Sequence, residues 1–309
     1  MPIRWIILFL PLCFTGNTQG SLPLGLDESV ALAIANAPGI SARVDEAEAL
    51  QNRSTSSARL PDPQLQFGAL NLPTDTFDLD QDPMTQLKLG VGQRFPAGHS
   101  RQREQAIYAS RADAALSSAD EQRLAVMREV QVSWLEIYYG REAAVILRAN
   151  REVLEQLRVF IRSLYETGRG NQQDITRIDV ELSRLAEREI MLGRETQGWR
   201  ARLGRWLGEQ AWRPLSAELP AWQTPATLNR DGLAAALVEH PAVIAMDHQV
   251  EASREQVELS REHYKPDWGL NVSYGHRRSE DLVGDTRPDL LSAMVSVSMP
   301  IFRKSRQDS

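Results

Sequence analysis

The sequence is poor in the things that hold small exported domains or membrane helices together. It contains one cysteine in 309 residues, which excludes a disulfide framework. No segment reaches about 18 consecutive apolar residues, which excludes a membrane-spanning helix. There is no excess of positive charge: the formal net charge is −6, which argues against a nucleic-acid partner. There is no G-x-S-x-G, no phosphate loop and no carboxylate pair in a catalytic setting, so the residues predict neither an enzyme nor a bound cofactor. His99, His240, His248, His263 and His276 stand at no metal-ligand spacing, and the methionines are dispersed, so no metal site is predicted. Between Ser100 and Thr167 there is no proline, and Gly140 is the single glycine.

What is present begins with a separate N-terminal unit. Arg4 gives a positive start, Trp5 to Phe14 is apolar, and Thr18-Gln19-Gly20 supplies small residues for cleavage. Residues 1–20 therefore read as a secretory signal peptide. Leu12 precedes Cys13, where a lipoprotein signal requires a small residue. Cleavage after Gly20 removes the only cysteine and Arg4, so 35 basic residues become 34 against 41 acidic, a net −7.

The mature chain is duplicated. Leu26 to Ala37 and Leu228 to His240 are amphipathic helical stretches, each followed by a proline, Pro38 or Pro241. A longer helical pattern follows in each, Ile40 to Leu60 and Val243 to Tyr264, and then Pro63 or Pro266. Both proline pairs are offset by 203 residues, and a constant offset of that length points to duplication. The domain division that follows is 21–210 for a first repeat, 211–225 for a connector and 226–309 for a second.

After Pro63 and Pro266 the hydrophobic period changes from helical to two, as in strands with one apolar and one polar face. Leu65, Phe67, Leu87 and Leu89 fall on the apolar side in the first repeat, and Trp268, Leu270, Val272, Tyr274, Val295 and Val297 in the second. Gln64, Gln66 and Lys88, then Asn271, Ser273, Ser292 and Ser296, fall on the polar side. Loops near 71–84 and 276–288 separate the strands, and Pro96 and Pro300 end the pairs. In an outer-membrane barrel the apolar positions would face lipid and the polar ones a watery lumen; in a soluble sandwich the apolar face would be core.

The region 100–167 predicts one helix of about 68 residues, roughly 100 Å long. Gly168-Arg169-Gly170-Asn171 makes a turn, and a second helix runs from about Gln172 to Leu207, with Asp174 as a possible cap. Its heptad seams are Ile178, Leu185, Leu192, Trp199 and Trp206, and Ile175, Leu182, Glu189, Thr196 and Leu203, a coiled-coil-like pattern. The fold class predicted is mainly α with a membrane β part. Four strands cannot close a membrane barrel, since about eight is the smallest, so several copies would have to share one.

The order of these elements, and the tip Tyr165-Glu166-Thr167-Gly168-Arg169-Gly170-Asn171-Gln172-Gln173-Asp174, resemble the TolC-type outer-membrane efflux proteins. Pro83 to Gly98, with Gln93-Arg94-Phe95-Pro96, is similar to the heavy-metal efflux branch. The resemblance implies a homotrimer whose twelve strands, four per protomer, form one barrel in outer-membrane lipid. It also implies a long-helix α-barrel, a passive duct for metal cations or drugs, and partners in a periplasmic adaptor (membrane fusion) protein and an inner-membrane pump. Gly168, Arg169, Gly170 and Asn171 would be the adaptor-contacting tip. A type I secretion duct and a non-transporting periplasmic coiled-coil remnant are the alternative functions. By that pattern a second long hairpin should follow Pro300, and the chain ends at Ser309; the sequence thus predicts a second repeat lacking its final hairpin.

Overall fold

Prolines punctuate the fold at each repeat. In the computed structural model, which describes residues 22–221, 229–280 and 284–299, Pro38 opens α2 (Pro38–Ser57) and Pro241 opens α6 (Pro241–Glu262). Proline suits a first helical turn, where its missing N–H has no partner to lose and its φ is already helical. These helices therefore begin two residues before the positions read from periodicity. The preceding helices, α1 (Leu26–Ala35) and α5 (Arg230–Val238), stop short of the same prolines. Pro63 and Pro266 lead directly into β1 (Gln64–Leu70) and β3 (Asp267–His276), and β2 (Gln86–Phe95) and β4 (Leu290–Ser298) complete the set. The signal peptide, 222–225 of the connector, 226–228 at the start of the second repeat, 281–283 of the second predicted loop, and Pro300 with the chain after it lie outside the described residues.

The proline-free stretch is one helix, α3 (Ser100–Glu166), of 67 residues. The returning helix α4 (Gln172–Leu207) stops at Gly208, whose φ of 57° is left-handed and suits a residue without a Cβ. A 3₁₀ turn, Gly208–Trp212, follows where the sequence suggested only a connector.

The chain forms two contact units that cut across the repeats: 1–37 with 125–224, and 38–124 with 225–309. In the first, Val126, Val130, Trp134 and Ile137 of α3 recur at helical spacing and are all buried. The Trp134 indole donates to the Leu24 carbonyl at 3.1 Å. Leu24 in turn lies parallel to Leu215, its N–H donating to the Pro214 carbonyl and its carbonyl accepting from Ser216. Both heptad seams of α4 are buried or half-buried, and nearly all its other positions are exposed. The seam explains Gly140: a Cβ there would come within 2.2 Å of Thr196 Oγ1. Arg151 meets seam residue Glu189 at 3.1 Å and Arg205 meets Glu129 at 2.9 Å; such exposed pairs set register more than stability.

In the second unit the strands form a single antiparallel sheet in the order β1-β2-β3-β4. The two repeats join through β2 and β3, which are distant in sequence. The strand-proximal part of α3 buries small residues, Ala112, Ala114, Ala115 and Ala119. Here Ser54 of α2 donates to the Gln105 carbonyl, and Arg103 of α3 pairs with Glu255 of α6 at 2.9 Å. The turn from β2 into α3 is held by buried Glu262, which accepts the His99 N–H at 2.7 Å and two contacts from Lys265. These partners, Lys265 foremost, hold the Glu262 carboxyl below its ordinary pKa.

Candidate functional site: an inverted sheet and a hairpin tip

The register assigns every strand side chain to a face. Phe67, Leu89, Tyr274 and Leu291 lie opposite one another across all four strands, and so do Leu65, Val91, Val272 and Ala293. Leu270 pairs with Val295, and Phe95 with Trp268 and then Val297; Leu87 pairs with Ala69. All ten predicted apolar-face residues thus share one face. On the other, Gln66, Gly90, Ser273 and Ser292 form one row, and Gln64, Gly92 and Asn271 another. Ser296 lies opposite Gly269, and Lys88 opposite Gly275. The polar positions read from the sequence are brought together in the same way. Gln93 and His276 are polar exceptions on the apolar face, at its two ends, and Met294 is an apolar exception on the polar face.

On the central strands β2 and β3 burial is opposite to that of a soluble sheet, while β1 and nearly all of β4 are exposed on both faces. The apolar face is open: Leu65 is 65% exposed, Phe67 80% and Leu291 77%. Ser273, on the polar face, is 4% exposed. Glycines on the polar face make room for their neighbours. A Cβ on Gly90 would lie 3.1 Å from the Ser273 Cβ, one on Gly92 3.1 Å from Asn271 Nδ2, and one on Gly269 2.5 Å from Ser296 Oγ. Side chains of neighbouring strands thus occupy the space over these glycines. Asn271 bridges to Gln66 at 3.1 Å across that polar face.

Both ends of the sheet carry charge that the sequence reading did not single out. At the helix end Arg94 Nη2 lies 3.0 Å from Asp267 Oδ2. At the loop end Asp289 accepts from the Tyr274 hydroxyl and, at 2.9 Å, from the Arg277 N–H, with His276 Nδ1 3.1 Å away. The visible signal for the first was a pair of opposite charges, one beside each of Pro96 and Pro266; nothing in the sequence indicates the second.

The hairpin tip is exposed from Thr167 to Arg169 and from Asn171 to Asp174. Arg169 N–H bonds to the Leu164 carbonyl and Gly168 N–H to the Tyr165 carbonyl, each at 2.9 Å. This closes α3 with a Schellman motif whose left-handed residue is Gly168, at φ 73°. Gly170 has a separate reason: a Cβ would sit 2.8 Å from the Tyr165 nitrogen. The cap position of α4 belongs to Asn171 rather than Asp174, and its side chain makes no capping bond. Asp174 lies in the first turn instead, where a negative charge opposes the helix dipole.

Among the described residues no group of three His, Cys, Asp or Glu side chains could hold a metal ion. The histidines have local tasks: His240 Nδ1 accepts the Ala242 N–H and caps α6, and His99 and His276 neighbour Glu262 and Asp289. No described helix is long and apolar enough to cross a membrane.

No protein-family profile matches the sequence, and no characterised relative does. Solved structures do. The chain superposes on the outer-membrane channel OprN with a TM-score of 0.70 at 18% identity, over 91% of this chain and 65% of that one. CusC, whose crystal structures concern folding and transmembrane channel formation, gives 0.71 at 13% identity, over 92% of this chain and 67% of that one. VceC, an outer membrane protein of Vibrio cholerae, gives 0.68 at 15% identity, over 92% and 70%. The chain therefore spans about two thirds of the length of these channels. Over about two thirds of their length this chain shares the fold of these TolC-type outer-membrane channels, a long-helix hairpin with a four-stranded antiparallel sheet.

Proposed function

We propose that the chain is a subunit of an outer-membrane efflux duct, exported by its signal peptide and seated with its sheet in the bilayer. The observation that carries this reading is the inverted sheet. An exposed apolar face is unfavourable in water at about 25 cal/mol per Å² and favourable against lipid, while the polar face opposite it suits a water-filled lumen. Strand edges are not tolerated in hydrocarbon, and β1 and β4 are the edges of this sheet. Three copies would supply twelve strands, enough to close a barrel, since about eight suffice. The α3–α4 hairpin would then extend into the periplasm as part of a helical wall. Its tip, Gly168 to Asn171, would meet a periplasmic adaptor that joins the duct to an inner-membrane pump. The duct is passive, and metal cations or drugs are its cargo.

Membrane fractionation tests the reading. The processed chain is expected in the outer-membrane fraction, resistant to extraction by high salt. Recovery of the intact protein only from the soluble periplasm would overturn it.

A further inference from the structure

The polar face of the sheet has charge only at its ends. From Lys88 at one end to Arg94 and Asp267 at the other it carries glutamine, glycine, serine, asparagine and Met294 with no charge between. From the uncharged row of Gln64 and Asn271 to where the strands meet α3 runs a cavity, lined among others by Asp62, Arg94, Glu104, His263, Asp267 and Ser296. Its walls hold three carboxylates and one guanidinium. Arg94 is largely exposed, and Asp267, less so, lies against it at 3.0 Å. Without Asp267 the guanidinium would be a bare cation at the point where strands give way to helices.

We propose that Asp267 is a specificity-determining residue: by neutralising Arg94 it leaves Asp62 and Glu104 to set the local potential, so that the base of the lumen favours cationic over anionic solutes. This rests on the duct reading above, which makes the polar face a lumen, and it narrows the cargo to cations. The register supports it. Arg94 lies opposite Gly269, and Ser296 lies opposite Gly269 on the far side, so no side chain on β3 stands between the ion pair and the open cavity. A charge there acts at range: at about 10 mM salt the Debye length is about 30 Å, and at 1 M about 3 Å.

The mature sequence has no cysteine after Cys13, so Ser296→Cys gives a single reporter beside the pair. In outer-membrane vesicles at low salt, the reporter's reaction rates with a cationic and an anionic methanethiosulfonate reagent are compared. A unit charge about 7 Å away in water changes each rate by about threefold, so their ratio moves by roughly five- to tenfold. Asp267→Asn is expected to shift the ratio toward the anionic reagent, and Arg94→Gln toward the cationic one. The swapped pair, Arg94→Asp with Asp267→Arg, should restore the original ratio, and all differences should vanish in 1 M salt. If the reporter labels readily and the ratio is unmoved by either single change, the pair is only a strut and the proposal fails. If neither reagent reaches the reporter, the polar face is not a water-filled lumen, and it is the duct reading that fails.

Discussion

The α3–α4 hairpin and the four-stranded sheet obey opposite rules of burial. In the hairpin, Ile178, Leu185, Leu203 and Leu207 are buried and the polar faces are exposed. In the sheet, Phe67, Leu291 and Val295 are exposed, while Ser273 and Gly90 are buried. The hairpin also exposes apolar residues of its own, Ile146, Val153, Val159 and Phe160 among them, so the contrast lies in the packed side, which is apolar in the helices and polar in the central strands. Composition does not distinguish them, because both alternate apolar and polar residues at their own period. The difference lies in which face is given room. In the helices the small residues, such as Gly140 and Ala112, lie on the packed side and let neighbours approach. In the sheet the small residues Gly90, Gly92 and Gly269 lie on the polar side, under side chains of the neighbouring strands.

The contrast is broken most forcefully by a charge on each face of the sheet. Val295 is 63% exposed on the apolar face, beside Leu270, and Ser296 is its neighbour on the polar face. Val295→Arg is expected to cost about 2–4 kcal/mol in a bilayer and to deplete the protein from the outer membrane. Ser296→Arg should insert at nearly the original yield. Two soluble-style outcomes would sink the assignment: equal yields for both, or a larger loss for Ser296→Arg, as a buried polar face in water would give.

On the hairpin side, the tip separates a turn from a docking point. Gly168→Ala forces a left-handed residue to carry a Cβ, for about 1–2 kcal/mol, and should lower hairpin stability without abolishing adaptor capture. Arg169→Glu touches none of the Schellman bonds through its side chain, so thermal unfolding should be unchanged while capture by a cognate adaptor falls. Capture unaffected by Arg169→Glu would leave the tip as a turn and nothing more.

Much of this was legible because period and punctuation are local properties. The strands, the length of α3 and the α4 seams follow from spacing and from prolines. What was not legible is which of two equally apolar seams a helix turns inward. In α2 the buried positions are Ile40, Ala47 and Ser54; in α6, 203 residues on, the buried seam is Ala245, Ala252 and Leu259, with Glu262 buried at its end. The equivalents of the latter in α2, Ala42, Ala49 and Ser56, are exposed, as are Val243, Val250 and Val257 in α6. Duplicated helices therefore present different seams inward, and hydropathy cannot choose between them. Nor could sequence bring Asp289 to His276, or Glu262 to His99, since those contacts depend on how strand ends and turns meet in space.

The smallest expected effect concerns the loop end of the sheet, and it turns on one carboxylate. Asp289 is held at a pKa of about 2, down from 3.8, chiefly by the Tyr274 hydroxyl, then by the Arg277 N–H and the His276 ring. These donors favour the ionised form. A folded pKa below the unfolded one contributes stability that is complete above the unfolded value and is lost as pH falls through the folded one. The window is therefore about pH 4 to 2. The contribution is modest because the group is solvent-accessible and screened, so it should appear as local opening of the 276–288 loop rather than as unfolding. Cleavage of that loop by an acid-active protease should stay slow near pH 4 and accelerate toward pH 2, with the sheet below it still protected. Asp289→Asn removes the charge that the three donors hold, so its loop should be cleaved faster near pH 4 and show no further rise on acidification. Identical acid profiles for the two proteins would mean that the loop is closed by its backbone contacts, such as Arg287 N–H to the Ser279 carbonyl at 3.1 Å, and that Asp289 does not latch it.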